Sequence, residues 1–293
     1  MACYGQKVRL QLNLKQDSTY YMNDNANMTV VEDMPGQQLV MTIVMSGKAS
    51  HKVVAIMDTV YQLAVAYENI GMLVEVNGQR LINVNTDLKG QDIMSKAMTS
   101  MLHKPITVLI SKKGKVLEIR NSDAIYSHMF DEFPQLAAEK KEQLKAQMQK
   151  SFGDKALKNN FQDAFAVLPE TEIGINDRWM FTSIMEAIML IKVKTTYVLK
   201  DITGNAYIVH GDAIVASVGT ADYAEMNGMF MRFNDVSGTY SSDVKLDKET
   251  GWLLDSKITK SIKGNVEVKD SPRIPGGMIF PMTISGDITM SNK

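Results

Sequence analysis

One cysteine, Cys3, occurs in 293 residues. An intramolecular disulfide is therefore impossible, and so is a cysteine-based zinc site. Net charge is nearly absent at −1, which leaves no overall electrostatic drive toward nucleic acid or an anionic bilayer. No run approaches the roughly 18 uncharged apolar residues that a transmembrane helix needs. The most apolar stretch, Met180 to Val193, contains Glu186 and Lys192 and reads as a buried strand. Enzyme signatures are missing too: there is no Gly-x-Ser-x-Gly elbow, no His-Glu-x-x-His, no phosphate-binding loop and no dinucleotide fingerprint. Aromatic residues interleaved with basic ones, as base stacking requires, are also lacking. What is plentiful is methionine, 22 residues, whose flexible thioether fills irregular interiors and lines permissive binding surfaces.

Period-two alternation dominates the pattern. Val8, Leu10, Leu12 and Leu14 alternate with polar residues, as do Leu39, Met41, Ile43 and Met45, and then Tyr61, Leu63, Val65 and Tyr67. Each reads as a strand with one buried face. Asn77-Gly78 marks a two-residue hairpin, and Lys112-Lys113-Gly114-Lys115 marks another. The period changes at Ile93, Met94, Ala97, Met98 and Met101, where apolar residues fall three and four apart on one helical face. From about Ser122 to Leu168 the chain reads as helical, with Ser122 or Asp123 as a cap and Pro134 in the first turn of a longer helix. Alternation resumes after Trp179, with Met229, Met231 and Phe233 in one strand and an extended segment from Met278 to Met290.

These readings divide the chain into residues 1–6 as the remnant of an export signal, 7–120 as an antiparallel β-rich half, 121–168 as a helical insert, and 169–293 as a second β-rich half. The fold class is α+β, mostly antiparallel: a curved sheet or half-barrel with the helices on its apolar face. The halves match in length and hairpin spacing, which admits a diverged duplication, although few residues are identical. For the first residues three readings stand. Gly5 and Cys3 fit a signal-peptidase site, Met1-Ala2-Cys3 fits the end of a lipobox with Cys3 lipidated, and an ordinary cytosolic start fits as well.

Candidate chemistry is sparse. His210-Gly211-Asp212 places a histidine beside a carboxylate, which suits a metal or a proton shuttle but is more often a turn. Asn83, Asn85 and Asp87, and the triplet Asn23-Asp24-Asn25, gather oxygen atoms without matching a calcium loop, and read as strand ends and turns. Lys140, Lys141, Lys145, Lys150, Lys155 and Lys158 make the helical region locally basic, the usual mark of a solvated helix face. The catalytic and metal assignments are accordingly empty, and no cofactor is implied. A ligand cavity between sheet and helices would be lined by Met41, Ile43, Met45, Leu63, Val65, Met229, Met231 and Phe233, chosen for alternation and apolarity.

Several segments together resemble an uncharacterised family of exported β-rich proteins from Bacteroidetes, a domain of unknown function. They are Gln6 to Leu14, Ile110 to Leu117, Phe130-Asp131-Glu132-Phe133-Pro134-Gln135-Leu136, and Gly174-Ile175-Asn176-Asp177-Arg178-Trp179. The resemblance implies periplasmic or outer-envelope localisation and brings no activity or site residues. Three functions follow in order of preference: a non-enzymatic envelope protein that binds a lipid, acyl chain or other apolar small molecule; an envelope scaffold that binds a protein partner; and an enzyme of unrecognised type.

Overall fold

The computed structural model describes residues 7–88, 92–131, 133–186, 189–226 and 228–293. The proposed export remnant 1–6, with Cys3, lies outside them, as does Glu132. The elements run in order β1 (Thr19–Met34), β2 (Gln37–Met57), β3 (Val60–Val76), β4 (Gln79–Asn85), α1 (Ile93–Ser100), β5 (Ile106–Ser111), β6 (Val116–Arg120) and α2 (Asp123–Tyr126). Then come α3 (Ala138–Phe152), α4 (Asp154–Ala164), β7 (Arg178–Glu186), β8 (Leu190–Ile202), β9 (Ala206–Ser217), β10 (Ala224–Met226), β11 (Met229–Asp247), β12 (Leu253–Val268) and β13 (Met278–Ser291).

Among the described residues the strands form a single open sheet in the order β6-β5-β3-β2-β1-β13-β12-β11-β9-β8-β7, with β4 also on β3 and β10 also on β11. Every pairing is antiparallel. The seam between the two β-rich parts of the chain is the β1–β13 ladder, so both parts share one sheet. Asn77 and Gly78 take φ of 48° and 77° between β3 and β4, the doubly positive geometry of the tight hairpin that the sequence anticipates.

Alternation in β1 sends Tyr20, Met22, Ala26, Met28 and Val30 to one face and Asn23, Asn25, Asn27 and Thr29 to the other. Ladder partners stand side by side on the same face, so this inward face can be followed across the sheet from register alone. The main core forms where helices cover it. From α4 and the segment after it, Leu157, Phe161, Phe165 and Leu168 pack with Val53, Leu63 and Val65 of the sheet. α3 contributes only partly buried Leu144, Met148 and Phe152. Its lysine-rich side remains solvated, with Lys145 lying 3.5 Å from Glu142 and 3.8 Å from Asp131.

Four sequence expectations are corrected. Residues 8–14 are buried alternately, with Leu10, Leu12 and Leu14 between 1% and 4% exposed, yet they form no strand. Their amides go to three different loops: Val8 to Ile173 at 2.8 Å, Leu12 to Lys112 at 2.7 Å and Asn13 to Thr250 at 2.7 Å. Alternation reports burial, whereas a ladder needs one continuous partner. Residues 127–131 and 133–137 are turns and irregular chain rather than helix, and Pro134 precedes α3 instead of opening it. Phe130 and Phe133 bury their rings directly from those turns. The run from Met180 to Val193 is divided between β7 and β8, and Met180 and Ile184 are 65% and 63% exposed. Asn23-Asp24-Asn25 lies within β1 rather than in a turn.

The extended segment fixes one glycine. Gly251, at φ 68°, lies so close to the strap that a Cβ would meet the Gln11 carbonyl oxygen at 2.1 Å. Gly251→Ala is expected to destabilise the protein by more than about 1 kcal/mol, since both the positive φ and the backbone contact oppose a side chain. Thermal denaturation beside the parent chain measures it, and an unchanged midpoint contradicts the strap's tight seating.

Candidate ligand-binding face

Beyond the helices the inward face continues without a cover. Register sets Val76, Met41, Val30, Ile284 and Ile262 in one row across β3, β2, β1, β13 and β12. The adjacent row holds Val74, Ile43, Met28, Gly286 and Lys260, and the next holds Met72, Met45, Ala26, Ile288 and Ile258. Nearly all these side chains are half-buried rather than sealed. The opposite face of the same strands carries Thr283, Ser285, Asp287 and Thr289 on β13 and Lys257, Thr259, Ser261 and Lys263 on β12. One surface is therefore mainly hydrocarbon and thioether, with Lys260 among it, whereas the reverse face is hydroxyl, amide and charge on β13 and β12 but also carries Val31, Val40, Val44 and Leu73 on β1, β2 and β3.

The residues singled out from alternation separate three ways. Leu63 and Val65 are 1% and 2% exposed in the main core, where packed neighbours leave no room for a ligand. Met229, Met231 and Phe233 are half-buried against a second cluster made by Val266, Val268, Phe280 and Met282. Met41, Ile43 and Met45 are half-buried on the open rows. Val30 and Ile284 belong to the second cluster and are also ladder neighbours of the Met41 row, which joins the last two groups on one surface.

Two carboxylates interrupt this surface. Asp24 stands between Gly47 and Met290, and Glu32 between Leu39 and Met282, both in phase with the apolar positions of β1. Burial raises the pKa of each. Neither meets a cation among the described residues. Burial also pushes the Tyr67 hydroxyl up, and the nearby Asp24 charge adds to that shift. A strand-parity count finds Asp24 and Glu32 from sequence, because an acidic residue in step with Met22, Ala26, Met28 and Val30 has to face inward.

A cleft of about 70 Å³ opens beside the end of α4, bounded by Gln162, Phe165 and Val167 above and by Phe181, Tyr197, Ser242 and Lys260 of the sheet below. Gly211 makes this floor possible, since a Cβ there would lie 2.9 Å from the Tyr197 ring. That ring stacks on Trp179, centroids 5.4 Å apart. The cleft has room for a few waters, far short of the roughly 300–1,000 Å³ of a ligand-enclosing pocket.

The polar face holds a shallow hollow of about 400 Å³ among Lys194, Thr196, Asp212, Ile214, Thr239, Ser241, Thr259 and Ser261. Next to it His210 is flanked by two carboxylates, with Nε2 3.3 Å from Asp212 and Nδ1 2.8 Å from Asp243. Both ring nitrogens are thus engaged in the cross-strand array. No group of three His, Cys, Asp or Glu suited to a metal ion occurs among the described residues. Asn85 accepts a hydrogen bond from the Asp87 amide at 2.9 Å, the local turn expected of such a pair.

The chain belongs to a family of unknown function, DUF6263, whose description matches residues 58–253. No curated protein matches it. Two solved structures align along most of its length: an outer membrane channel from Pseudomonas putida F1, at 6% identity with 96% of this chain and 97% of that one covered and a TM-score of 0.29, and the outer membrane protein OprG from Pseudomonas aeruginosa, at 7% identity with 96% and 100% covered and a TM-score of 0.25. At such scores the likeness is that of long antiparallel strands, and nothing functional is drawn from it.

Proposed function

We propose that this protein is a non-enzymatic component of the cell envelope that holds the hydrocarbon part of an amphiphile, a lipid or acyl chain, along the open inward face. The observation that carries the reading is the set of half-buried, mainly apolar rows crossing β3, β2, β1, β13 and β12, opposed on β13 and β12 by a polar reverse face. A contiguous apolar surface of this kind is uncommon on a monomer that has nothing to bind. A curved sheet is part of the same proposal. α4 touches both β6 and β7, the two ends of the strand order. With strands about 4.8 Å apart, a flat sheet of this width places its ends far beyond the roughly 10–12 Å diameter of one helix. No helix among the described residues is long and apolar enough to cross a membrane. Export, as the family resemblance suggests, puts such a carrier where lipids must cross an aqueous compartment.

Native mass spectrometry of gently purified protein, followed by titration with a fluorescent long-chain fatty acid, tests the proposal. Ile43→Asp places a charge in the middle of an apolar row and is expected to weaken binding at least about tenfold, a loss of about 1.4 kcal/mol. Thr42→Asp, its neighbour on the reverse face, is expected to leave binding unchanged. Absence of co-purifying lipid together with no saturable uptake by the parent chain overturns the reading.

A further inference from the structure

The two ends of the sheet are finished differently. The outer edge of β6 is met by α4: the Gln162 Oε1 accepts from the Val116 amide at 2.8 Å, and the Lys158 ammonium donates to the Leu117 carbonyl at 2.7 Å. β6 also carries Glu118 and Arg120, paired at 2.6 Å. Lateral charge and a covering helix are standard protections for an edge strand. β7 has neither. Among the described residues the backbone of Arg178–Glu186 is hydrogen-bonded only to β8. Between those two charged ends the sequence is Trp-Met-Phe-Thr-Ser-Ile-Met, without charge, proline or glycine. Met180 and Ile184 stand out from the polar face at 65% and 63% exposure.

We infer that β7 is the contact strand of a two-fold dimer, pairing antiparallel with β7 of a second copy about an axis at Thr182. The strand is self-complementary in that register. Met180 falls opposite Ile184 of the other copy, Thr182 opposite itself, and Arg178 opposite Glu186, residues of opposite charge. The inward positions match as well, with the large Phe181 against the small Ser183. An isologous contact demands this kind of reciprocal fit. Moving the axis by two residues, to Met180 or to Ile184, separates the opposite charges and leaves one of the exposed apolar residues outside the paired strand. A one-residue slip sends the apolar positions to the wrong face. The pairing extends the sheet into the second copy and removes both unprotected edges at once.

The test uses the full chain in a Cys3→Ser background, so that each introduced cysteine is the only one. Thr182→Cys is expected to form a disulfide-linked dimer on mild oxidation, whereas Thr259→Cys, exposed on the same polar face but far from the edge, is expected to remain monomeric. Sedimentation of the unmodified chain and of Thr182→Lys provides an independent readout. Like charges brought together at the axis are expected to raise the dimer dissociation constant at least tenfold, with the far-UV circular dichroism unchanged. A chain that is monomeric from micromolar to millimolar concentration overturns the inference. So does a dimer insensitive to Thr182→Lys, or equal cross-linking at positions 182 and 259.

Discussion

Acidification from neutral pH to about pH 4 is expected to withdraw about 3 kcal/mol of folding stability through a single side chain, His51. This imidazole is 1% exposed, and its burial outweighs the backbone groups of Tyr20 and Ala49 that favour the charged form. Aromatic rings from three parts of the chain surround it: Trp252 at 5.2 Å, Phe161 at 6.1 Å and Phe165 at 6.4 Å between centroids. Burial disfavours its charged form and lowers its pKa from 6.5 to about 4. Above pH 6.5 the ring is neutral whether the chain is folded or not, and stability is at its full value. As the pH falls toward 4 the unfolded chain takes up a proton that the folded one refuses, and stability drops with it. Asp24 and Glu32 act in the opposite sense. Their raised pKa values favour the folded state in acid and withdraw that advantage as the pH rises. Comparison with His51→Leu isolates the histidine. The variant is expected to lose the decline below pH 6.5. Urea titration of both proteins across this range measures the difference, and parallel curves refute the assignment.

Trp252→Ala is expected to cost about 3–5 kcal/mol, the range for removing a large aromatic side chain from a packed interior. The indole is 2% exposed and touches rings on every side, with centroids 5.1 Å from Tyr20, 5.2 Å from His51 and 5.3 Å from Phe165. Its Nε1–H donates to the Tyr21 carbonyl at 3.3 Å. Truncation opens a void where β1, β2, the start of β12 and the α4 end converge, so the fold loses packing in both β-rich parts at once. Trp252→Phe keeps most of the contact area and is expected to cost less than half as much. Chemical denaturation of the two variants provides the comparison, and near-equality of Trp252→Ala with the parent chain excludes this junction as a central support.

Much of the sheet is legible in the sequence because its strands alternate cleanly and its hairpins carry recognisable turn residues. Asn77-Gly78 and Lys112-Lys113-Gly114-Lys115 both connect strands paired in a ladder, as read. The errors share one cause: periodicity reports which side chains are buried but not what buries them. Leu10, Leu12 and Leu14 alternate like a strand while their amides serve separate loops. Phe130 and Phe133 are spaced like helical residues but are buried from turns. The open face is harder to read. Met41 and Leu63 look alike in sequence, and only the placement of α4 and the 8–14 strap makes one half-open and the other sealed. Asp24 was obscured because its asparagine neighbours resemble a turn, although its phase within β1 points inward.

The seam between β1 and β13 joins residues 23–32 to residues 282–291, so a strand made early on the ribosome waits for one made more than two hundred residues later. Until that late strand arrives, β1 offers a long unpaired flank bearing methionine and valine, and the central ladder cannot close while the protein is being synthesised. Such distant pairing slows folding and leaves adhesive intermediates exposed. A chain built in this way is suited to being kept extended by a holding chaperone and released whole, because its middle is completed last.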